Sequence, residues 1–274
     1  MTKGIRIAAA TLLATLFAAA VCAPAIAPHS YERQFRETTD GPPSADFRLG
    51  TDSLGRDRFS RLLHGSRITL LLAPAGAILT TFLAALIGGL AGMAGGRLDR
   101  VLMACSDLCM CLPWLFLMMA LRAALPLDTP SWVSVALTFF LVAALSWPAA
   151  ARSVRASVRT LMDSDFLLFA RASGIGRWRA FRAHLLPNLR PVLTAQFWIA
   201  VPSLVLAEAT FGMLGLGVAE PMPSWGNLLR ELEGHPEAFA SPVQHWWLLA
   251  PILLIALVIG CFQLILAQKE PASL

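Results

Sequence analysis

The sequence predicts an all-α, polytopic membrane protein with six transmembrane helices, and three observations lead there. Of its 274 residues, 57% are hydrophobic and only 14% charged, against roughly 25% charged in a soluble domain. Mean hydropathy is +0.64. Apolar runs recur that reach about 20 residues, enough to cross a ~30 Å hydrocarbon core as helices whose backbone groups are satisfied internally. The net charge of +5 comes almost wholly from arginine, and the arginines lie between the runs. That distribution suits membrane orientation rather than nucleic-acid binding, which calls for an exposed basic domain.

Each run can be justified in order. Lys3 and Arg6 precede an apolar stretch over 7–27. Ala25-Ile26-Ala27 resembles a signal cleavage site, but Pro28 would then be the first mature residue, and the run is long for a signal core. It is read as an uncleaved first span. Residues 28–68 are polar and contain Pro42-Pro43, which predicts an extramembrane segment. From Asp57 onward it reads as a short amphipathic helix, with Phe59, Leu62 and Leu63 on one side. Spans two, three and four are expected near 69–93, 102–121 and 132–150. Gly95-Gly96-Arg97 joins the second to the third; Pro126, Asp128 and Pro130 join the third to the fourth. Spans five and six are expected near 191–214 and 246–266, joined by a Gly- and Pro-rich ordered loop. The whole chain, 1–274, reads as one domain.

Arginine distribution sets the orientation. The 151–190 segment carries Arg152, Arg155, Arg159, Arg171, Arg177, Arg179, Arg182 and Arg190 against Asp163 and Asp165. It is therefore expected in the cytoplasm, as are both termini. The 28–68 segment falls outside, its seven arginines nearly balanced by six acids. Within the cytoplasmic segment, 165–188 reads as a helix–turn–helix. Phe166, Phe169 and Ala170 share a face of the first helix. Ser173-Gly174 breaks the chain, Trp178, Phe181 and Leu185 share a face of the second helix, and Pro187 is expected to stop it.

Several chemistries are excluded. Lys3 and Lys269, the only lysines, stand in no Gly-rich phosphate-binding turn, so no ATPase site is present. No His-Glu-x-x-His occurs, and the five cysteines sit in apolar runs as small core residues. No catalytic residue, cofactor or metal site is assigned. Asp107 and Glu208 lie within or near spans, where acids are costly and mark functional or packing contacts.

Three stretches carry a resemblance. LGTDSLGRDRFSRLLHGSRITL (49–70) is similar to an external signature through Gly50, Thr51, Asp52, Gly55, Arg56 and Asp57. LAEATFGMLGLGVAEPMPSWGNLL (206–229) is similar to a fifth-span and loop signature. The 165–188 stretch is similar to a cytoplasmic loop at Ala170, Arg171, Ala172, Gly174, His184, Leu186, Pro187 and Asn188. With these the chain resembles the inner-membrane permease subunits of ABC importers of the dipeptide, oligopeptide and nickel class, most of all the second permease of each pair.

The resemblance implies a bacterial inner-membrane protein that forms half of a translocation pathway. Its implied partners are a homologous permease, two cytoplasmic ATP-binding subunits, an external solute-binding protein and membrane lipid. Phe166, Phe169, Ala170, Arg171, Gly174, Trp178, His184, Pro187 and Asn188 would form the ATPase-coupling element, whose aromatic anchors suit a helix-in-groove contact. Leu168 and Phe169 stand where the family motif has Glu and Ala. Two other readings remain open: a standalone ion-coupled transporter using Asp107 or Glu208, and a membrane sensor or assembly partner descended from a permease.

Overall fold

Caps and prolines set the helix boundaries of this chain. The computed structural model describes residues 3–124, 126, 129–165, 169, 179 and 181–266, with the backbone alone for Lys3, Arg122, Phe181 and His184. Among these residues there is no strand, only isolated bridges between Gln34 and Arg56 and between Thr51 and Asp57. The α-helices of seven or more residues among the described residues are α1 (Lys3–Val21), α2 (Arg58–Ala94), α3 (Gly96–Cys111), α4 (Trp114–Ala124), α5 (Ser131–Leu145), α6 (Trp147–Met162), α7 (Leu186–Met213), α8 (Trp225–Glu231) and α9 (Ala250–Leu266).

The all-helical, multi-span class holds, while the boundaries shift. The amphipathic helix expected after Asp57 is not separate from the second span; both belong to the 37-residue α2. Asp57 starts it, its carboxylate accepting from the Phe59 and Ser60 amides, which fills donors that a helix start leaves open. α3 and α4 are bent by 77°. Leu112 at the break is extended (ψ 129°), as a residue before proline prefers. α5 and α6 continue each other as a span-length stretch from Ser131 to Met162.

Pro187 does not end a helix as expected. It sits second in α7, directly after a π-helical turn, Phe181–Leu185. The π-helical turn runs without a gap into α7, and such an interruption of the regular hydrogen-bond ladder is where a proline is accommodated inside a helical run. Among the described residues, four helical stretches are long and apolar enough to cross a membrane, or five if the bent pair counts as one. α9, with 17 residues, is a shorter apolar helix, so six spans do not follow from length alone.

The chain divides into two compact units. One comprises Met1–Ala73, Met118–Phe139 and Pro202–Leu274; the other comprises Pro74–Leu117 and Phe140–Val201. In the first, α1 runs along α9. A small cluster of Leu232, Ala238 and Leu248 packs against Trp247 and Ile252.

The second unit is organised by α6. Trp147, Ala150, Ala151, Val154 and Val158 recur at helical spacing and are buried with Ala84, Leu185 and Leu189. α2 approaches α6 closely: a Cβ on Gly88 would lie 2.3 Å from the Ala151 carbonyl oxygen, and one on Gly92 2.7 Å from Val158 Cβ. Burying this apolar face of α6 is the main packing gain of the unit.

Gly88→Ala is therefore expected to lower stability by about 1–3 kcal/mol through overpacking, read as a lower unfolding midpoint in detergent. Gly89→Ala is the control, since nothing lies within 4 Å of its added Cβ; it should be neutral or stabilising by about 0.5–1 kcal/mol.

Candidate functional site

The two signature stretches, 49–70 and 206–229, fold onto each other within the first unit. The earlier one begins as a tight reversal. Gly50 and Gly55 have φ of +70° and +73°, and a Cβ on either would meet a backbone oxygen, of Gly41 or Phe35, at 2.2 or 2.3 Å. Only glycine fits both the conformation and the space. Thr51 Oγ1 accepts from the Gly41 amide at 2.9 Å and donates to the Thr38 carbonyl. Asp52 Oδ1 accepts from the Leu54 and Arg56 amides at 3.0 and 2.7 Å, and its Oδ2 accepts from Arg56 Nε at 2.7 Å. Asp57 caps α2 and also meets His29 Nδ1 at 3.3 Å. Asp52 and Asp57 are both buried. Gly50, Thr51, Asp52, Gly55, Arg56 and Asp57 thus come together, chiefly as a folded turn.

That turn aims two arginines at the later signature. Arg56 Nη1 donates to Glu220 Oε2 at 2.7 Å. Arg61, with 0% of its side chain exposed, donates from Nη2 to Glu220 Oε1 and to Glu231 Oε1, both at 3.1 Å. Its Nε lies 3.5 Å from Asp52 Oδ2. A buried guanidinium is tolerated only when carboxylates surround it, and removing one partner of such a group costs about 3–5 kcal/mol.

Neutral contacts complete the join. Trp225 Nε1 donates to Ser66 Oγ at 3.0 Å. Ser224 caps α8 by accepting from the Asn227 amide, while Asn227 Nδ2 donates to the Val218 and Met222 carbonyls at 3.0 and 3.3 Å. Gly226 abuts Gly212 near the end of α7. At the edge of the network, Arg58 Nη2 lies 2.9 Å from His235 Nε2, whose Nδ1 meets Glu237 at 2.9 Å. Beside it opens a cleft of about 560 Å³ lined by Arg56, Gly217, Glu220, Arg230, Glu231 and Glu233.

The two intramembrane acids differ. Glu208 is 1% exposed and accepts from Thr69 Oγ1 at 3.1 Å, so it ties α7 to α2 within the first unit. Asp107 belongs to the second unit, is exposed, and pairs with Arg152 of α6. Of the coupling residues, Phe166, Ala170, Arg171, Gly174 and Trp178 lie outside the described residues. Phe169 is exposed, the His184 backbone lies in the π-helical turn, and Pro187 and Asn188 open α7. No cluster of three or more His, Cys, Asp or Glu suited to a metal occurs among the described residues.

Three acids were not singled out from the sequence. Glu220 stands inside the quoted loop signature, yet its partners are 159 and 164 residues away. Glu231 is equally remote from Arg61, and no local spacing shows either pairing. Asp99 is the third. It is 4% exposed, and both Arg155 and Arg159 donate to its carboxylate. The i, i+4 spacing of these arginines, three residues beyond the Gly95-Gly96 hairpin in the case of the acid, was the available signal.

The fold and these interlocked signatures define a multi-pass helical membrane protein of the transport-permease class. The family model for the inner membrane component of binding-protein-dependent transport systems matches residues 84–271, and the chain belongs to that family. It is 33% identical over 255 residues to the dipeptide transport system permease protein of Bacillus subtilis (93% of this chain, 76% of the relative). It is 35% identical over 237 residues to a di/tripeptide transport system permease protein of Pseudomonas aeruginosa (84% and 74%). It is also 30% identical over 261 residues to an oligopeptide transport system permease protein of Haemophilus influenzae (94% and 80%). The resemblance drawn from the three stretches thereby holds.

The network carries a pH signature. Burial alone would raise Glu220, but the Arg61 and Arg56 guanidiniums overcome it and hold the carboxyl below its ordinary 4.5. Burial raises Glu231, and Arg61 does not fully offset it. A depressed carboxyl stabilises the fold fully above the unfolded value and loses that contribution as pH falls through the folded one. A raised carboxyl does the reverse: its contribution is lost as pH rises through the raised value. The two groups act in opposite senses on acidification, so the test is a difference: the stability that Glu220 contributes should be lost as pH falls below about 4.5, and Glu220→Gln should lower the unfolding midpoint at neutral pH by more than it does in acid.

Proposed function

We propose that this chain forms one half of the translocation pathway of an ATP-binding-cassette importer for peptides or a related small solute. The observation that carries the proposal is identity of 30–35% over most of the chain to permease proteins of peptide transport systems. A homologous permease supplies the other half, two cytoplasmic ATP-binding subunits supply the energy, and an external solute-binding protein delivers the solute. The lack of a phosphate-binding lysine fits this division of labour.

In this reading the chain is a single six-span permease domain in the bacterial inner membrane, with both termini cytoplasmic and α9 as its short sixth span. Residues 28–68 lie outside and 151–190 inside, in line with the arginine distribution. The folded turn from Gly50 to Asp57 and the 214–234 loop then make one external surface, held rigid by Arg56, Arg61, Glu220 and Glu231. Its cleft, with both signs of charge on its walls, faces the side from which the binding protein arrives. Phe166, Phe169, Ala170, Arg171, Gly174, Trp178, His184, Pro187 and Asn188 make the contact with the ATP-binding subunits. Leu168 occupies the motif position of the Glu, so this contact rests on apolar anchoring.

The test is co-purification followed by reconstitution. The tagged chain should bring down a second permease and two ATP-binding subunits, and the complex in proteoliposomes should take up peptide only with ATP and the binding protein. Gly174→Trp should leave ATP hydrolysis in place while reducing uptake by about tenfold, the scale of a typical coupling energy. Uptake by the chain alone, driven by an ion gradient and abolished by Asp107→Asn or Glu208→Gln, would overturn the proposal.

A further inference from the structure

The 151–190 segment was read from its sequence as a run of topology-setting arginines, yet two of them converge on one acid. Arg155 donates to both carboxylate oxygens of Asp99, from Nε to Oδ1 and from Nη2 to Oδ2, the latter at 2.7 Å. Arg159, one turn on, donates to Oδ2 as well. The Asp99 side chain is 5% exposed, against 26% for Arg155. A two-point guanidinium–carboxylate contact fixes angle and register as well as distance. A lysine or a single charge would supply topology without that fixity.

What the contact fixes is the part of α6 that leads, within the second unit, into the stretch after Met162. α6 ends at Met162, and the chain returns through Phe181–Leu185 into α7. Leu185 and Leu189, at the return, are buried in the same cluster as Val154 and Val158 of α6. Both ends of the intervening stretch therefore root in one packed core. Apolar packing alone resists separation better than sliding, because it is non-directional. The polar links supply the missing register. Asp99 holds α6 to α3, and Gln196 Nε2 of α7 donates to Ser153 Oγ of α6 at 3.0 Å. From the third side, Gly92 of α2 lies against Val158 and the Arg155 carbonyl.

We propose that Asp99 is a positioning residue for energy coupling. With Arg155 and Arg159 it locks α6 to α3, so that a displacement applied to the stretch after Met162 moves the helices of this unit together instead of sliding α6 along its neighbours. The inference rests on the functional reading above, in which that stretch contacts the ATP-binding subunits. It adds a lock outside the contact itself.

The test uses the full importer in proteoliposomes, with both permeases, the ATP-binding subunits and the binding protein, supplied with a defined mixture of labelled dipeptides. The quantity read is ATP hydrolysed per dipeptide taken up, which a mere loss of folded protein does not change. Asp99→Asn and Arg155→Lys should raise this ratio by about tenfold. Arg159→Gln, which leaves the two-point contact intact, should raise it less. Arg155→Lys retains the charge that orients the segment, so normal insertion with a raised ratio separates the lock from a topology signal. If Asp99→Asn fails to assemble, Arg155→Lys and Arg159→Gln decide. A wild-type ratio in the assembled variants overturns the role of Asp99. A wild-type importer with no ATP-driven uptake overturns the functional reading instead.

Discussion

The constraint on which the first unit depends is the burial of the Arg61 guanidinium. A fully enclosed positive charge near the start of a 37-residue helix is tenable only where acids are delivered to it from elsewhere in the chain. Asp52 comes from the reversal immediately before the helix. Glu220 and Glu231 come from the loop and short helix that follow α7. Holding these acids in place requires the reversal at Gly50 and Gly55, the cap at Asp57, and the seat of Trp225 on Ser66. Many residues of both signatures thus serve one electrostatic requirement. The result is a stiff surface where separate loops would be expected to be mobile.

The second unit solves a different problem. α6 is amphipathic, with an apolar stripe centred on Val154 and Val158 and arginines around the remainder. Its stripe supplies adhesion, and its arginines, through Asp99 and Asp107, supply register. In the proposed topology the same side chains serve orientation in the membrane and alignment of helices. These roles are compatible because the first needs only charge, whereas the second needs geometry. In the proposed importer, such stiffness is the physical means of using work done by the ATP-binding subunits.

Much of the fold was legible in advance because helix formation in an apolar solvent is a local matter. The runs of apolar residues and the proline- and glycine-marked junctions placed the helices, but α2 begins 11 residues before its expected start and the stretch through α6 ends 12 residues beyond its expected end. Errors arose where a residue has two local roles. Pro187 can end a helix or occupy its first turn, and the choice depends on what precedes it, here a π-helical turn. The short helix expected after Asp57 and the second span near 69–93 are one continuous helix, which runs on through Pro74. The Gly50–Asp57 stretch was recognisable as a unit with turns at Gly50 and Gly55, though the partners of its charged residues were not. Its acids look like surface charges until their partners are known.

From the sequence alone came the class of protein, its membrane-spanning helices and its family, because composition, run length and motif spacing are properties of neighbouring residues. Which acid meets which arginine was decided only by the tertiary structure. Glu220 lies 159 residues from Arg61, and Asp99 lies 56 from Arg155. A pairing over such distances leaves no spacing between its two partners to read, since it is the packing of helices that brings the charges together and excludes the water that would otherwise solvate them.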